Sequence, residues 1–482
     1  MKKLAGNIPF ILAILISLAC FCFFFFYYPY HLFYKEQISL FLLSDQTFFQ
    51  YFPKAGWLSQ LTGDFLTQYF YYIGAGPAIL TALLLLLGVL CYKCVEKLLQ
   101  RFRWKKAVAF ILAALVCGFE FWLQCSSTYP LSSTISVLGV FLVVYIVLNF
   151  RKLTIWTTLS GVLLLGLGIW MFCPFSTFQG EKEGVNLRLE KFFALDTETN
   201  FGHWQKVEML SEEDLGNYVN SYYHNLSLAM QGKLADGLLD YYQAGEKSLL
   251  LPVAQTETHF SIFAANEVWF QMGDMTMAEH AAILGMIFSP NHSSFRAIKR
   301  LAEINLIQGE EKAAAKYLHM LSKSSCYKAW AREHTPGKQT EKVKQFIDQK
   351  KSLLAKTDTL RLAGQNRMSL VNLLKSNPNN QLARDYLLCL DLLNKNLNLF
   401  AADYMEFANG IFKPIYAQAL LIIQSVHPEL LQGCKMPMQE KTLKDFQEYM
   451  NLYTQNQGRS SAVKNKFSRT YWYYYHYAKT EN

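Results

Sequence analysis

Five long apolar stretches follow one another in the first third of the chain. They are Leu4–Tyr34, Phe65–Tyr92, Ala107–Cys125, Leu131–Phe150 and Leu153–Cys173. A helix needs about 20 apolar residues to cross the hydrocarbon core of a bilayer, and each stretch is close to that length or longer. The pattern therefore predicts a domain of five transmembrane helices over residues 1–173.

The loop between the first two stretches, residues 31–72, is too long for a simple connection. Its segments ISLFLLSDQTFFQYF and WLSQLTGDFLTQYFYY mix apolar and polar residues at helical spacing. That mixture is typical of helices that lie on or dip into one leaflet. The loop carries the acids Glu36, Asp45 and Asp64. They are either part of a carboxylate site at the membrane surface or water-facing acids of interfacial helices, and the second interpretation is the simpler one.

Glu120 is the only acid inside one of the apolar stretches. Acids within membrane segments commonly mark proton relays or substrate sites. Glu120 nevertheless lies only ten residues before Pro130, near the expected end of its helix, where it can reach water.

Beyond Pro174 the apolar residues recur every three or four positions, as in amphipathic helices. The helical stretches pair as 186–199 with 202–210, 212–230 with 234–242, 257–271 with 275–288, 295–306 with 310–323, 380–393 with 397–407, and 414–425 with 440–453. Residues 324–376 fit this register poorly, although they include a Lys- and Gln-rich amphipathic helix. The chain is thus predicted to be all-α, with a transmembrane bundle followed by an α-solenoid of helix pairs over residues 174–482.

Residues 262–290 resemble a tetratricopeptide repeat, a helix–turn–helix unit of 34 residues. The matching positions are Ala265, Trp269, Gly273, Ala278, Ala282 and Pro290, and the next unit keeps Ala302, Gly309 and Ala314. Small residues at such positions let the two helices of a pair approach closely. The resemblance implies a series of stacked pairs, each of which needs neighbours to bury its apolar face.

The distribution of charge separates the membrane part from the remainder. Residues 1–173 hold 12 of the 46 Lys and Arg residues and 5 of the 37 Asp and Glu residues, whereas the rest is nearly balanced. This excludes a wholly soluble enzyme, and no basic face suggests nucleic-acid binding. Ten of the 12 cations fall on one side of the predicted bundle. The positive-inside rule then predicts a cytoplasmic N-terminus and an extracytoplasmic, periplasmic domain after residue 174.

The whole chain also resembles an uncharacterised family of inner-membrane proteins from Bacteroides-type bacteria. The strings EQISLFLL…FLTQYFYY, NLSLAMQGKLADGLLDY, RLAEINLIQGEEKAAAKYL and YWYYYHY carry the resemblance. It implies a multi-spanning anchor with a helical-repeat tail and supplies no activity. The aromatic tail, residues 471–477, could cap the last repeat, contact the membrane or bind a ligand.

Catalytic and cofactor motifs are missing from the sequence. There is no HExxH, GxSxG, P-loop or dinucleotide-binding glycine pattern, and the histidines are dispersed. We therefore expect no cofactor and no metal. The function that the sequence favours is binding of a protein or peptide by the repeat domain, beside contact with the lipid bilayer. The alternative is a membrane-embedded transferase for a lipid-linked substrate that uses Glu36, Asp45, Asp64 or Glu120 as its acid.

Overall fold

The computed structural model describes residues 2–150, 155–174, 184–212, 216–253, 259–289, 292–356 and 364–479. These residues form helices joined by turns and contain no β-strand, which confirms the predicted all-α class. The chain divides into two compact units. The first comprises Met1–Phe193, Ser289–Lys299 and Ala315–Gln339, and the second comprises Ala194–Phe288, Arg300–Ala314 and Thr340–Asn482.

The apolar part of the first unit is a bundle of helices. Its helices are α1 (Lys2–Cys22), α2 (Tyr30–Gln37), α3 (Asp45–Tyr51), α4 (Trp57–Thr67), α5 (Ala75–Leu98), α6 (Lys105–Gln124), α7 (Leu131–Leu148) and α8 (Ile155–Phe172). A π-helical turn, Phe23–Tyr27, continues α1, and a 3-10 turn, Gln68–Tyr71, follows α4. Helix α5 packs against α1, α6 and α7, and α7 packs against α4 and α8.

Three of the five predicted crossings are helices long and apolar enough to span a membrane, namely α5, α6 and α7. A fourth would be the pair Ile11–Tyr27 and Tyr30–Gln37, which is long and apolar enough only if both helices form one span, bent by 75°. In α8 the described apolar stretch, Leu159–Phe172, is shorter than the other three. The structure therefore supports association with a membrane through three to four helices within the described residues.

The second crossing begins later than the sequence predicts. The apolar stretch was expected to start at Phe65, but α5 begins at Ala75, and Phe65 belongs to α4. The break lies at Gly74, whose φ of +84° is in the left-handed region that favours glycine. A continuous apolar stretch gives no sign of such a turn in its hydropathy.

The two segments of the 31–72 loop that were expected to lie on or dip into one leaflet differ in exposure. No described residue of α4 is exposed, and the helix packs against α7 and α8. A Cβ placed on Gly63 would come within 2.6 Å of Ser132, so that glycine allows the close approach of α4 to α7. Helix α3, by contrast, exposes Phe48 and Phe49.

The remaining helices run from residue 187 to residue 477. They are α9 (Leu187–Asn200), α10 (Trp204–Glu212), α11 (Tyr218–Met230), α12 (Leu234–Gly237), α13 (His259–Met272), α14 (Met275–Phe288), α15 (Phe295–Gln308), α16 (Glu311–Ser322), α17 (Lys328–His334), α18 (Glu341–Lys351), α19 (Asn366–Ser376), α20 (Gln381–Leu393), α21 (Leu397–Phe407), α22 (Pro414–Val426), α23 (Glu440–Gln455), α24 (Ser460–Phe467) and α25 (Tyr471–Tyr477). Short 3-10 turns occur at Leu238–Asp240, Gly245–Ser248 and Pro428–Leu431.

Helices occur at most of the predicted positions, with bounds that differ by a few residues. The predicted helix over residues 234–242 is wrong in length, because α12 ends at Gly237 and continues only as a 3-10 turn. Within the poorly fitting stretch 324–376, α18 is the predicted amphipathic helix, whereas α17 and α19 were not predicted. Neither α17 nor α19 is longer than 11 residues, so each offers few turns over which a period can be recognised.

The residues that resemble tetratricopeptide positions are mostly packing residues. In α13 and α14, the two helices packed together, Ala265, Trp269, Ala278 and Ala282 are at most 1% exposed. Ala302 and Ala314 are fully buried in α15 and α16. Gly273 and Gly309 follow the first helix of each pair with φ of +86° and +83°. Pro290 lies outside the described residues.

The aromatic tail packs inward as α25. Tyr471 and Trp472 are 0% and 1% exposed, and the Trp472 indole donates to the Gln418 carbonyl oxygen at 2.9 Å. The Tyr474 hydroxyl donates to the Leu393 carbonyl oxygen at 2.9 Å. Helix α25 packs against α22 and α24, so these side chains are packing residues of the fold.

Replacing Gly273 with Ala is expected to destabilise the fold more than the same change at Gly309. Both glycines have a positive φ, which costs a non-glycine residue about 1–2 kcal/mol. At Gly273 the new Cβ would also lie 2.7–2.9 Å from Leu353 atoms, including its backbone, whereas at Gly309 it would meet nothing within 4 Å. Thermal unfolding of the two purified variants in the same detergent should give a lower Tm for G273A. Equal Tm values would contradict the crowding at Leu353.

Candidate functional site

The four acids singled out in the sequence lie in four different environments. Asp45 is exposed at the start of α3. Asp64 is partly buried on α4, and its carboxylate accepts a hydrogen bond from the Tyr51 hydroxyl at 2.6 Å. Burial raises the pKa of Asp64 to about 6. No described hydrogen bond joins two of the four acids, and the other two, Glu36 and Glu120, belong to two separate buried junctions.

Glu120 belongs to a buried polar junction where α6 ends and α7 begins. Its carboxylate accepts hydrogen bonds from the Thr134 hydroxyl at 2.7 Å and from the Tyr129 hydroxyl at 3.2 Å. Thr134 in turn accepts from the Gln124 side-chain amide at 2.8 Å. Glu120 is 4% exposed, and Gln124 and Thr134 are fully buried. The expectation that Glu120 reaches water is therefore wrong, because its partners are hydroxyl groups of α7 and the α6–α7 turn.

Lys35 enters the same junction from α2. Its ammonium group donates to the Gln124 carbonyl oxygen at 3.0 Å and to the Gln124 side-chain oxygen at 3.2 Å. Gln124 is the last residue of α6, where backbone carbonyls lack partners within the helix and carry partial negative charge. Lys35 is 6% exposed, and among the described residues no carboxylate lies within ion-pair distance of it. It therefore caps the C-terminus of a neighbouring helix.

Glu190 caps the N-terminus of α2, the helix that carries Lys35. Its two carboxylate oxygens accept hydrogen bonds from the backbone N–H groups of Tyr30, at 2.5 Å, and His31, at 2.9 Å. These are the first residues of α2, where a negative charge complements the helix dipole. Glu190 lies in α9, so an ionic residue 160 positions later in the chain fixes the start of α2.

His31 links the two caps. Because the Gln124 carbonyl oxygen can only accept, the His31 Nε2 at 3.2 Å must carry the hydrogen of that contact. The other ring nitrogen, Nδ1, faces a Glu190 carboxylate oxygen at 3.5 Å. His31 is fully buried. The set Glu190, His31, Lys35, Gln124, Thr134 and Glu120 is named here the Gln124 junction.

A second junction joins the 31–72 loop to later segments of the same unit. The Phe295 backbone N–H donates to the Ser39 carbonyl oxygen at 2.9 Å, and the Leu43 N–H donates to the Lys323 carbonyl oxygen at 2.8 Å. The Ser294 hydroxyl donates to the carbonyl oxygen of Gln37 at 2.7 Å. Backbone hydrogen bonds between such distant segments fix the path of the loop.

Glu36 lies in this second junction and does not face water, contrary to expectation. It is 2% exposed, and its carboxylate accepts a hydrogen bond from the Tyr327 hydroxyl at 2.9 Å. Burial, together with the neighbouring Glu36, raises the pKa of Tyr327 well above its usual value, so the phenol keeps its proton and donates it. The Tyr327 ring stacks on Phe295 at a centroid distance of 4.7 Å.

Sequence reasoning missed most residues of these junctions. His31 and Lys35 are four positions apart and therefore share one face of α2, which was a signal available in the sequence. Glu190 and Tyr327 carry no such signal, because their partners lie 159 and 291 positions away. Within the described residues, no group of three His, Cys, Asp or Glu side chains is arranged to hold a metal ion.

The fold and its junctions define a class: an all-helical protein with apolar helices long enough to cross a membrane and buried ionic groups at their ends. The chain belongs to the family of unknown function DUF6057, whose model matches residues 6–180 and 176–478. This confirms the membership in an uncharacterised family that the sequence suggested. No curated protein and no solved structure matches the chain.

Replacing Lys35 with Met should destabilise the protein, because the buried Gln124 side-chain oxygen loses its described partner while the volume is retained. Leaving a buried acceptor without a partner costs about 1–3 kcal/mol. Lys54→Met is the matched control, since Lys54 is exposed in the same loop. Thermal unfolding in detergent should give a lower Tm for K35M than for the wild type and K54M. If both variants have the same Tm as the wild type, Lys35 does not stabilise the end of α6.

Proposed function

We propose that this protein is an integral protein of the bacterial inner membrane with a cytoplasmic N-terminus and a periplasmic helical-repeat domain, residues 174–482, that binds another protein or an extended peptide. The observation that carries the topology is the set of backbone hydrogen bonds between the 31–72 loop and residues 295 and 323. Segments so bonded must lie on one side of the membrane.

The path of α8 supports five crossings. The Gly56 backbone N–H donates to the Trp170 carbonyl oxygen at 2.8 Å, and the Ser59 hydroxyl donates to the Phe172 carbonyl oxygen at 2.9 Å. The end of α8 therefore lies beside the 31–72 loop. Since α8 packs along α7 and each has 18 residues, α8 returns across the same thickness that α7 crosses. Helices α5 to α8 then cross four times, and α1 supplies the fifth crossing.

The orientation follows from the basic residues at the opposite end of the bundle. Between α5 and α6, Arg101 and Arg103 lie in a turn that Lys97 precedes and Lys105 follows. Short loops rich in Lys and Arg stay in the cytoplasm. The 31–72 loop and the segments bonded to it then face the periplasm.

Alkaline phosphatase fused after residue 200 is expected to be active, because the enzyme folds only outside the cytoplasm. The matched fusion after residue 103, in the basic turn between α5 and α6, should be inactive. Both activities should be divided by the amount of fusion protein. An active fusion at 103 with an inactive one at 200 would invert the topology. Equal activity at both sites would mean that an even number of crossings separates them, which contradicts five.

The binding role rests on the helix pairs α13–α14 and α15–α16. The α13–α14 pair buries small side chains between its helices and turns at Gly273, and the α15–α16 pair turns at Gly309 with nearly the same φ. Series of such pairs form extended surfaces for peptides and proteins. On α14 an apolar strip is exposed: Ile283, Ile287 and Phe288 are 39%, 47% and 44% accessible. Contiguous exposed apolar residues of this kind mark interaction sites.

The transferase alternative has less support. It requires at least two of the acids Glu36, Asp45, Asp64 and Glu120 to converge on one cavity. Each of the buried ones instead has its own partners: Glu36 bonds to Tyr327, Asp64 to Tyr51, and Glu120 to Thr134 and Tyr129. The described hydrogen bonds thus tie each of these acids to a different hydroxyl group, and none of them joins two of the acids at a common site.

A photoreactive benzoylphenylalanine at Ile283 or Ile287 of the full chain, expressed in its native cells, should give the same discrete crosslinked species. The matched control is Met368 on α19, which is 52% exposed but lies outside the α13–α16 pairs. Adducts at the two α14 positions and none at Met368 would support binding on α14. Adducts at all three positions, or at none, would contradict it.

A further inference from the structure

The turn between α5 and α6 exposes large apolar side chains. Leu98, Phe102 and Trp104 are 65%, 67% and 73% accessible, although all three lie within one short segment. Exposed rings of this size, so close together, are unusual on a surface that faces only water. Trp is, however, enriched at the level of lipid head groups, where its ring meets apolar chains and its N–H meets water.

The same segment carries cationic side chains without partners among the described residues. The side chains of Arg101, Arg103, Lys105 and Lys106 make no hydrogen bond or ion pair with any described residue. The next cation, Lys97, differs because it donates to the Leu148 carbonyl oxygen at 3.4 Å. Between Lys93 and Lys106 the only acid is Glu96. Cations and exposed rings therefore alternate in the order Arg101, Phe102, Arg103, Trp104.

The stability of the helices does not explain this arrangement. Lys105 and Lys106 are the first residues of α6, where the helix dipole disfavours positive charge, and the first turn has no acidic residue. The Trp104 residue before them offers no side-chain cap. An anion that approaches guanidinium and ammonium groups at such a position offsets this unfavourable interaction with the dipole. Phosphate oxygens accept charge-assisted hydrogen bonds from both kinds of group.

We propose that residues 98–106 bind the anionic head groups of the leaflet in which α5 and α6 end. The four cations contact lipid phosphates, and the Phe102 and Trp104 rings lie among the head groups. This proposal rests on the proposed function in one respect, that α5 and α6 cross the membrane. The occupant is an anionic phospholipid because the site combines unpaired cations with exposed apolar rings and lies where two membrane-length helices end.

The test is native mass spectrometry of the full chain in detergent, titrated with phosphatidylglycerol or phosphatidylcholine. The variant R101Q/R103Q/K105Q/K106Q neutralises the segment. The matched control, K338Q/K342Q/K344Q/K351Q, removes the same charge from exposed lysines near and on α18. Each cation near an anionic lipid surface contributes appreciably, so the wild type and the control should prefer phosphatidylglycerol by roughly tenfold or more. The segment variant should lose that preference.

A segment variant that keeps the preference, or a wild type without one, would overturn the proposal. The second result is also the one expected if an acidic protein, rather than lipid, occupies the segment. Failure of the underlying topology gives a different result. A chain that carbonate extracts from phosphatidylcholine vesicles does not cross the bilayer, whereas a chain that resists extraction but shows no preference refutes only the lipid site.

Discussion

The first unit depends on satisfying the backbone groups at helix ends that are buried. The first N–H groups and the last C=O groups of a helix have no partners within it, and burying them without partners is costly. Glu190 supplies acceptors to the start of α2, and Lys35 supplies donors to the end of α6. Each charge has the sign that its helix end favours. The short α2 therefore contacts both α6 and α9. Lys35 is placed at the end of α6 and Glu190 at the start of α2, which accounts for the burial of both groups.

The 31–72 loop follows from the same constraint. A loop that leaves water must find partners for its backbone, and three backbone groups between residues 37 and 43 find them in Ser294, Phe295 and Lys323. Once that path is fixed, Glu36 is buried and needs a donor, which Tyr327 supplies. Asp45, on the exposed α3, has no such requirement. Glu36 is thus buried and Asp45 exposed because the backbone contacts around them differ. The residue type does not determine which of the two is buried.

The sequence predicted what depends on local composition. Apolar stretches identified α5, α6 and α7, helical periodicity identified pairs such as α13–α14, and the turn glycine Gly273 was located correctly. The start of α5 was missed because Gly74 interrupts an otherwise apolar stretch without changing its hydropathy. The Gln124 junction was missed for another reason. His31 and Glu190 meet across 159 positions, and a pattern in one sequence does not reveal which distant residues meet.

The first unit is not continuous along the chain. Ser289–Lys299 and Ala315–Gln339 complete a unit that otherwise ends at Phe193. During synthesis the apolar helices leave the ribosome well before the residues that cover Glu36 and the backbone of the 31–72 loop. A ribosome must translate roughly 250 further residues, on the order of 10–50 s at bacterial rates, before Tyr327 exists. Throughout that interval Glu36 and the loop backbone lack the partners that later residues supply, so we expect chaperones and quality-control proteases to reach the loop during synthesis.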